Sequence, residues 1–232
     1  MKKPAVDYSG FRLSLLKEPR FSHLLLLLGW VGYFLFYFLT ENFIPAERCH
    51  PMHCALDDLI PFCEIFLLAY AGWYLLVFGS LLHYLLYDVG SFKKLQYFII
   101  ITQVVAMAVY IFYPTRQDLR PEYFERDNIF TRILGLIYSI DTNTGVCPSL
   151  HVAYSIGIAS VCCKDKSASL LKKLLIVAAA ILISLSTLFV KQHSAVDVFA
   201  ALALGLVAEL IVYGNDWRER LFGRRHKEDA SS

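Results

Sequence analysis

The sequence predicts an all-α fold, a bundle of six transmembrane helices with one further helix at the membrane surface. Of its 232 residues, 57% are hydrophobic and only 18% are charged, whereas ordinary soluble domains are about 25% charged. A single soluble core of this size cannot hide so much apolar surface, so lipid is the expected solvent. Six stretches approach the roughly 20 apolar residues that a crossing helix needs. They are residues 21–40, 65–87, 95–113, 149–163, 174–190 and 196–213.

The individual stretches carry further information. The first is too long for a signal-peptide core and has no small-residue cleavage site after it, so it is expected to remain as a membrane helix. The fourth is short, which predicts that its start is recessed in the membrane. No fixed-period repeat, low-complexity tract or linker interrupts the chain. A single membrane-embedded domain over residues 1–232 is therefore predicted.

The distribution of basic residues predicts the orientation in the membrane. Sixteen of the 22 Lys and Arg lie in the two tails and in the second and fourth loops, and cytoplasmic segments carry such an excess. The termini are thus expected in the cytoplasm, with the first, third and fifth loops outside. A net charge of +2 gives no case for nucleic acid. The basic tails, including the amphipathic residues 1–20, fit contact with anionic headgroups.

The long third loop, residues 114–148, contains apolar residues mostly at helical spacing. This pattern over residues 122–140, with charges between the apolar positions, predicts an interfacial helix between the third and fourth spans. A packed loop with a single helical turn is the alternative.

Two short motifs at the ends of apolar spans carry the chemistry. His193 and Asp197 have the i, i+4 spacing of side chains that share a helix face. Asp197 can then hold the ring of His193 and raise the basicity of its other nitrogen. His151 follows Pro148-Ser149 at the start of the fourth span, so it is expected in a first helical turn whose free N–H groups attract an anion. We expect the rings of His151 and His193 to meet at one anion pocket.

Cations near these motifs are candidate ligands of that anion. Arg116 and Arg120 follow the third span, and Lys191 precedes His193 by two residues. Arginine binds phosphate oxygens in a fork, and lysine acts as a point charge. Ser149 could add a hydroxyl donor. The alternative is that the basic side chains snorkel to a membrane edge.

The segment Cys49-His50-Pro51-Met52-His53-Cys54 resembles a metal knuckle. Four ligands within six residues are cramped for tetrahedral zinc, and no second ligand pair follows nearby. In an external loop, a disulfide between Cys49 and Cys54 or idle thiols are the favoured alternatives. Cys63 and Cys147 could pair instead. No metal site is predicted.

Three segments together resemble the type 2 phosphatidic acid phosphatase superfamily, which includes lipid phosphate phosphatases. Arg120-Pro121 matches the end of its first motif. Pro148-Ser149-Leu150-His151 matches the second, with Leu150 in place of Gly. Ser186, His193 and Asp197 match the third at the right spacing. The matched core covers residues 113–213.

Two family cations are missing, because Tyr113 stands for Lys and Thr187 for Arg. Together with Leu150, the lost arginine is similar to the branch that contains inositol-phosphorylceramide synthase and sphingomyelin synthase. That branch moves a phosphorylated headgroup between lipids. Lys191 or Arg116 could replace the absent charge.

The resemblance implies specific roles in a phosphohistidine mechanism without cofactor or metal. His193 would be the nucleophile, Asp197 its orienting partner and His151 the proton donor to the leaving group. Arg120 and Ser149 would bind the phosphoryl oxygens. A lipid phosphatase is expected ahead of a lipid phosphotransferase, with a phosphorylated membrane lipid as substrate and an extracytoplasmic active site. A bacterial plasma membrane is the expected location, and the oligomeric state is not predicted.

A membrane transporter or lipid-binding protein is the alternative from another class. Glu209 and His83 would then line a pathway, because ionisable residues inside a membrane often mark one. Transport predicts polar residues through the midplane of the bilayer. The polar motifs of this sequence gather instead at one surface, which favours an enzyme.

Overall fold

The computed structural model describes residues 3–222, with side chains as far as Asp216, as a mostly helical protein. The helices are α1 (Leu28–Phe43), α2 (Ala55–Leu59), α3 (Leu67–Tyr87), α4 (Val89–Phe112), α5 (Ile129–Ile140), α6 (Leu150–Lys164), α7 (Leu170–Phe189) and α8 (Ala195–Phe222). Two short strands, β1 (His50–Pro51) and β2 (Thr115–Arg116), pair in parallel. Part of the basic C-terminal tail lies outside the described residues.

Five apolar segments in the described part of the chain are long enough to cross a membrane. They are Ser22–Phe43, Glu64–Tyr87, Val89–Phe112, Leu170–Phe189 and Ala195–Asp216. The protein is therefore a multi-pass membrane protein by length and composition of its helices. The sixth predicted span corresponds to α6, whose 15 residues reach only about 22 Å. This helix is shorter than the roughly 30 Å of hydrocarbon, as the shortness of residues 149–163 suggested.

Helix α6 occupies the centre of the bundle. It packs against α3, α4, α7 and α8, and its residues from Val152 to Ser155 are all buried. Gly157 allows the closest approach, because a Cβ there would lie 2.6 Å from the ring of Phe98 on α4. A central, buried helix fixes the position of whatever its first turn carries.

Local capping determines where several helices begin. Asp88 separates α3 from α4, and its carboxylate accepts a hydrogen bond from the backbone N–H of Ser91 at 3.1 Å. Ser169 caps α7 in the same way. Asn128 caps α5 by accepting from the N–H groups of Phe130 and Thr131. Such caps satisfy backbone donors that the first helical turn leaves free.

The structure confirms a helix in the third loop but shortens it. Helix α5 begins at Ile129, seven residues after the predicted start, because Asn128 caps it and residues 122–128 form bends. Leu134 is fully buried in a cluster with Leu67, Tyr70 and Val190. The amphipathic helix therefore packs on the bundle through its apolar face. Its position relative to a membrane surface stays a prediction.

The first, third and fifth loops meet at one end of the bundle, which we call the site end. The β1–β2 pair joins the first loop to the third, and the N–H of Cys63 donates to the carbonyl of Phe189 at the end of α7. The turns between α3 and α4 and between α6 and α7 lie at the other end, which we call the opposite end. The N-terminal tail contacts this opposite end, where the N–H of Ala5 donates to Leu86.

Candidate active site

His193 lies between Asp197 and His151 at the site end. Its Nδ1 is 3.1 Å from Oδ2 of Asp197, and its Nε2 is 3.4 Å from Nδ1 of His151. Asp197 is fully buried, and His193 is only 7% exposed. The structure thus brings together the two histidines that the sequence places 42 residues apart, as predicted.

The turn between α7 and α8 positions His193. The carbonyl of Thr187 accepts hydrogen bonds from the N–H groups of Gln192 and His193, at 2.9 and 3.1 Å. Lys191 has a φ of 51°, a left-handed conformation that is uncommon outside glycine. These bonds fold the chain back so that the His193 ring faces the bundle.

The prediction that His193 and Asp197 share a helix face was wrong in one respect. Helix α8 begins at Ala195, so His193 lies in the turn before it. Asp197 reaches back across the helix start and also accepts the N–H of Ser194 at 3.0 Å. This is one half of a capping box, in which an acidic residue at the third position bonds the N–H of the cap, while the Ser194 hydroxyl accepts the N–H of Val196 at 3.2 Å. The i, i+4 contact survives because the carboxylate serves both groups.

His151 is the second residue of α6 and stands among aromatic rings. Its ring centroid lies 4.8 Å from that of Tyr70 and 4.4 Å from that of Trp73, both on α3. Within the described structure its Nε2 is buried without a hydrogen-bond partner. An unpaired buried nitrogen is costly, and such groups are often found where a ligand binds.

Ser149 is the N-cap residue of α6, as predicted, but its hydroxyl does not cap the helix. The side chain is fully buried, and its Oγ has no partner among the described residues. The N–H of Ser149 donates instead to the carbonyl of Asp197 at 3.2 Å, which ties α6 to α8. The hydroxyl and the first-turn N–H groups of α6 can therefore receive an anion.

Arg120 lies beside the site and is held mainly by loop carbonyls. Its terminal nitrogens donate to the carbonyls of Tyr138, Asp141 and Thr142. They also donate to Oε1 of Gln192 at 2.6 Å, and the guanidinium stacks on the Tyr138 ring. The Nε–H of Arg120 is buried without a partner in the described residues. Arg120 thus stabilises the third loop, and its Nε–H remains available as a hydrogen-bond donor.

Arg116 and Lys191 are directed away from the histidines. Arg116 binds the carboxylate of Asp118 and the carbonyl of Ala46. The Lys191 ammonium donates to the carbonyls of Asp57 and Ile60, at 3.2 and 2.5 Å. The structure therefore does not bring these two predicted ligands of a phosphate to the pocket, because neighbouring loop oxygens engage both cations.

The six cysteines are free thiols, so the suggested Cys49–Cys54 disulfide is not formed in this structure. The thiol of Cys49 donates to the carbonyl of Pro45. Cys54 stands at the start of α2. Within the described residues, no group of three or more His, Cys, Asp or Glu is arranged to hold a metal ion.

Cys147 lies against Asp197. Burial, followed by the nearby Asp197 carboxylate, raises the pKa of the Cys147 thiol to about 12. The thiol therefore stays protonated at neutral pH, and it can donate to the carboxylate that holds His193.

The sequence did not single out several residues around the site. Gln192 connects Arg120 to Asp141, because its Nε2 donates to the Asp141 carboxylate at 3.3 Å. Tyr37 donates to the same carboxylate at 2.9 Å. Gln192 could have been found from the sequence, because it is a polar residue directly beside His193. No local pattern could have indicated Asp141 or Tyr37, since their contacts join distant segments.

Two adjoining cavities reach the histidines. A small cavity of about 80 Å³ lies against His151, His193 and Gln192. A larger one of about 980 Å³ runs from His151 between α1 and α3, both of which pack on α4. Its walls are mostly aromatic and apolar, and Tyr37, Tyr70 and Trp73 border both cavities.

Comparisons with protein-family models, with characterised proteins and with solved structures found no significant match for this chain.

Proposed function

We propose that this protein is a lipid phosphate phosphatase of the type 2 phosphatidic acid phosphatase superfamily. It would hydrolyse a phosphomonoester or diphosphate of a membrane lipid through a phosphohistidine intermediate. The observation that carries the proposal is the position of His193, with a carboxylate on one ring nitrogen and a second histidine beside the other. This arrangement is that of an activated nucleophile next to a general acid.

The first half of the reaction forms phosphohistidine. Asp197 accepts the Nδ1–H of His193, which leaves the Nε2 lone pair free to attack phosphorus. The bond between phosphorus and the lipid oxygen breaks, and its electron pair stays on that oxygen. His151, as the imidazolium that forms beside the bound phosphate anion, gives the oxygen a proton and becomes neutral, so the lipid leaves as an alcohol or, from a diphosphate, as a monophosphate.

The second half regenerates the enzyme. Water attacks the phosphorus of phosphohistidine, and His151, now lacking a proton, accepts one from that water. The N–P bond breaks, its electron pair returns to Nε2 of His193, and inorganic phosphate departs. The two rings are in contact, with 3.4 Å between His193 Nε2 and His151 Nδ1. The phosphoryl group would bind between these two nitrogens, and the rings would have to move apart to admit it.

Three groups can compensate the charge on the phosphoryl oxygens. The Ser149 hydroxyl and the Arg120 Nε–H are donors without a partner among the described side chains, and the first turn of α6 adds backbone N–H groups. Phosphoryl transfer depends mainly on positioning and on charge compensation at these oxygens. The buried, poorly hydrated position of the site would strengthen each contact.

The larger cavity supports a lipid substrate. It borders His151 and extends along α1 and α3, where Phe34, Phe38 and Phe78 are largely exposed. On transmembrane helices, such side chains face hydrocarbon. A lipid tail could therefore stay in the apolar groove while its phosphate lies at the histidines.

The basic-residue distribution supports an extracytoplasmic site with cytoplasmic termini. Six crossings require α6 to be the remaining membrane-spanning segment, with its ends recessed below the membrane surfaces because the helix is short. Its central position among α3, α4, α7 and α8 fits that role. A bacterial plasma membrane remains the proposed location.

Transfer of a phosphorylated headgroup to a lipid alcohol is the second candidate function. It is favoured by Leu150 and Thr187 at the two family positions described above. The Thr187 hydroxyl donates to the carbonyl of Ser184 within α7 and supplies no charge. The chemistry at His193 would be unchanged, with an alcohol replacing water in the second half.

The decisive experiment traps the intermediate. Purified protein in lipid nanodiscs is mixed with phosphatidic acid labelled in its phosphate, and the quenched protein is analysed for acid-labile label. Wild type should carry the label on His193, and His193→Ala should carry none. His53→Ala is the matched control, because His53 is an exposed histidine paired with Asp58.

A chase then separates the two acceptors. Release of the label as inorganic phosphate in water alone indicates a phosphatase. Faster loss to a labelled lipid product after addition of diacylglycerol or ceramide indicates a transferase. Equal phosphate release by wild type and His193→Ala would overturn both proposals.

A further inference from the structure

Asp57, on the short helix α2 of the first loop, contacts the turn that carries His193. Its Oδ2 accepts the hydroxyl of Ser194 at 2.6 Å, and its Oδ1 accepts the N–H of Ala195 at 2.7 Å. The carboxylate also accepts the N–H of Cys54 at 2.9 Å. Asp57 is buried, at 3% exposure, although it lies in a loop 137 residues away in sequence from Ser194.

The same loop holds the residue on the other side of His193. Lys191 donates to the carbonyls of Asp57 and Ile60, and it is buried at 8% exposure. These two bonds fix the Lys191 side chain against the first loop, at a residue whose backbone has the left-handed conformation that is unfavourable with a Cβ. The first loop therefore forms hydrogen bonds with the turn on both sides of His193, at residues 191 and 194–195.

Ser194 connects the hydrogen bonds of the first loop to the proposed nucleophile, His193. It is bonded to His193 in sequence, it caps α8, and its N–H donates to the same Asp197 oxygen that holds the His193 ring. A shift of Ser194 would therefore move both the His193 backbone and the carboxylate that orients the ring. Displacements of about 1 Å at such a site can cost 10²-fold in rate.

We propose that Asp57 is a positioning residue for His193, acting through Ser194 and the start of α8. This inference rests on the proposed function of the site. Asp57 touches neither the histidines nor the cavities beside them, so it would not contact substrate. It fixes the angle from which His193 approaches phosphorus, and Lys191 assists as a structural partner rather than as a phosphate ligand.

The ionisation of Asp57 agrees with this role. Burial raises the pKa of the carboxyl, but the hydrogen bonds from Ser194, Ala195 and Cys54 outweigh it and leave the pKa below its ordinary value. Asp57 is thus a carboxylate at neutral pH, and charged acceptors form the stronger hydrogen bonds.

The test compares Asp57 with its neighbour Asp58. The latter is exposed and pairs with His53 at 2.8 Å, so Asp58→Asn is a matched control with the same change of charge. We expect Asp57→Ala to lower kcat for phosphatidic acid about 10- to 10²-fold, with KM within about twofold. Asp58→Asn should stay within about twofold of wild type in both constants.

The rate is measured per active site, by normalising to the amount of protein that forms labelled phosphohistidine. A purely structural role would reduce that amount and leave the normalised kcat unchanged, and this result would overturn the proposal. If Asp57→Ala does not fold, Ser194→Ala removes the 2.6 Å hydrogen bond to Asp57 together with the 3.2 Å cap from the Val196 N–H, leaves the Asp57–Ala195 bond in place, and should still lower the normalised kcat several-fold. Asp57→Asn, which keeps one acceptor, should fall between Asp57→Ala and wild type.

A second measurement does not depend on catalysis. Diethyl pyrocarbonate modifies accessible histidine rings, and mass spectrometry resolves the rate at each position. His193 should react slowly in wild type and in Asp58→Asn, and at least about threefold faster in Asp57→Ala. Equal His193 reactivity in all three proteins would overturn the positioning role.

The two measurements separate the two proposals. An inactive wild type, or an active His193→Ala, would refute the proposed function while the labelling contrast still tests Asp57. An active wild type whose Asp57 variants match Asp58→Asn in normalised kcat would refute the role of Asp57 and leave the proposed function intact.

Discussion

The two ends of the helix bundle both contain ionisable groups that are partly or fully buried, but these groups are satisfied differently. At the opposite end, Lys164 lies 2.5 Å from Glu209, and the hydroxyl of Ser160 donates to the same carboxylate at 2.5 Å. At the site end, His193 and Asp197 are also paired, yet Ser149 Oγ and His151 Nε2 are without partners in the described residues. The site-end cavities reach the unpartnered ring of His151. The opposite-end cavity of about 250 Å³ borders the Tyr84 hydroxyl, which is also unpartnered among the described residues, but not the Lys164–Glu209 pair.

This difference separates a structural ion pair from a candidate active site. Each unsatisfied buried polar group costs about 1–3 kcal/mol, and a fold keeps such groups where a ligand can satisfy them. The pairing of Glu209 with Lys164 explains its partial burial without a transport pathway. His83 is likewise 3.2 Å from Lys172 near the opposite end. The comparison therefore favours an enzyme whose chemistry lies at one end of the bundle.

The largest effect should come from Asp197→Asn. An amide cannot replace the carboxylate that orients the His193 ring, and the equivalent change in a serine protease triad lowers kcat about 10⁴-fold. We expect a loss of about 10³- to 10⁴-fold in phosphate release from phosphatidic acid, at unchanged protein yield. Glu209→Gln is the matched carboxylate-to-amide change at the opposite end, and a similar loss there would break the comparison.

His151→Gln should lower the rate by about 10²-fold, within the usual range for a general acid. The loss should depend on the leaving group, because a phenol needs less protonation than a lipid alcohol. The rates of the variant on phosphatidic acid and on p-nitrophenyl phosphate measure this difference. Equal losses on the two substrates would mean that His151 does not protonate the leaving oxygen.

Ser149→Ala should reduce kcat about five- to tenfold, as expected from one lost hydrogen bond of about 1 kcal/mol. The thermal midpoint should not fall, because the hydroxyl has no partner in the described fold. Differential scanning fluorimetry in detergent, run beside the activity assay, tests both parts. A destabilised variant of unchanged activity would assign the hydroxyl to structure.

Glu209→Ala should have the opposite pattern. Lys164 and Glu209 are partly buried, with side chains 19% and 15% exposed, so loss of the charged hydrogen bond should lower the free energy of unfolding by about 1–3 kcal/mol. The normalised kcat should remain within about twofold of wild type, since Glu209 is remote from the histidines. A kcat that fell with Glu209 at constant folded fraction would show that the two ends are coupled.

The smallest effect concerns pH. The pKa of Asp57 in the folded protein lies below its ordinary value of 3.8, so its contribution to stability is complete above that value and is lost as the pH falls through the folded pKa. The difference in thermal midpoint between wild type and Asp57→Asn should therefore be constant from pH 7 to about pH 5 and shrink below about pH 4. A difference that grows on acidification would contradict the charged state of Asp57.

The sequence predicted the membrane class and most of the helices. Runs of apolar residues are a local signal with a fixed length requirement, and five of the six predicted spans reappear as long apolar helices. The sixth is the short central helix α6. The start of α5 was misplaced by seven residues, because a capping Asn128 is a weaker signal than apolar spacing. The resemblance was drawn from motifs alone, and the proposed function adds to it the position of His193 between Asp197 and His151.

Within the candidate site, local motifs identified His151, His193, Asp197 and Ser149, because each lies at a helix start that its neighbours define. They also suggested Lys191 and Arg116 as phosphate ligands. That suggestion rested on closeness in the sequence, and neither side chain reaches the histidines. A charge next to a motif can point to either side of the chain, and the tertiary structure directs both cations to carbonyls of the first loop.

What the sequence by itself determined is therefore the set of spans, their caps and the polar residues at their ends, since these depend on neighbours within a turn or two. Only the tertiary structure decided which of those ends meet. The packing of α6 in the centre brought His151 to His193, and the first loop brought Asp57 to Ser194 across 137 residues. Such contacts arise from the fit of whole helices, and no local pattern in the chain encodes them.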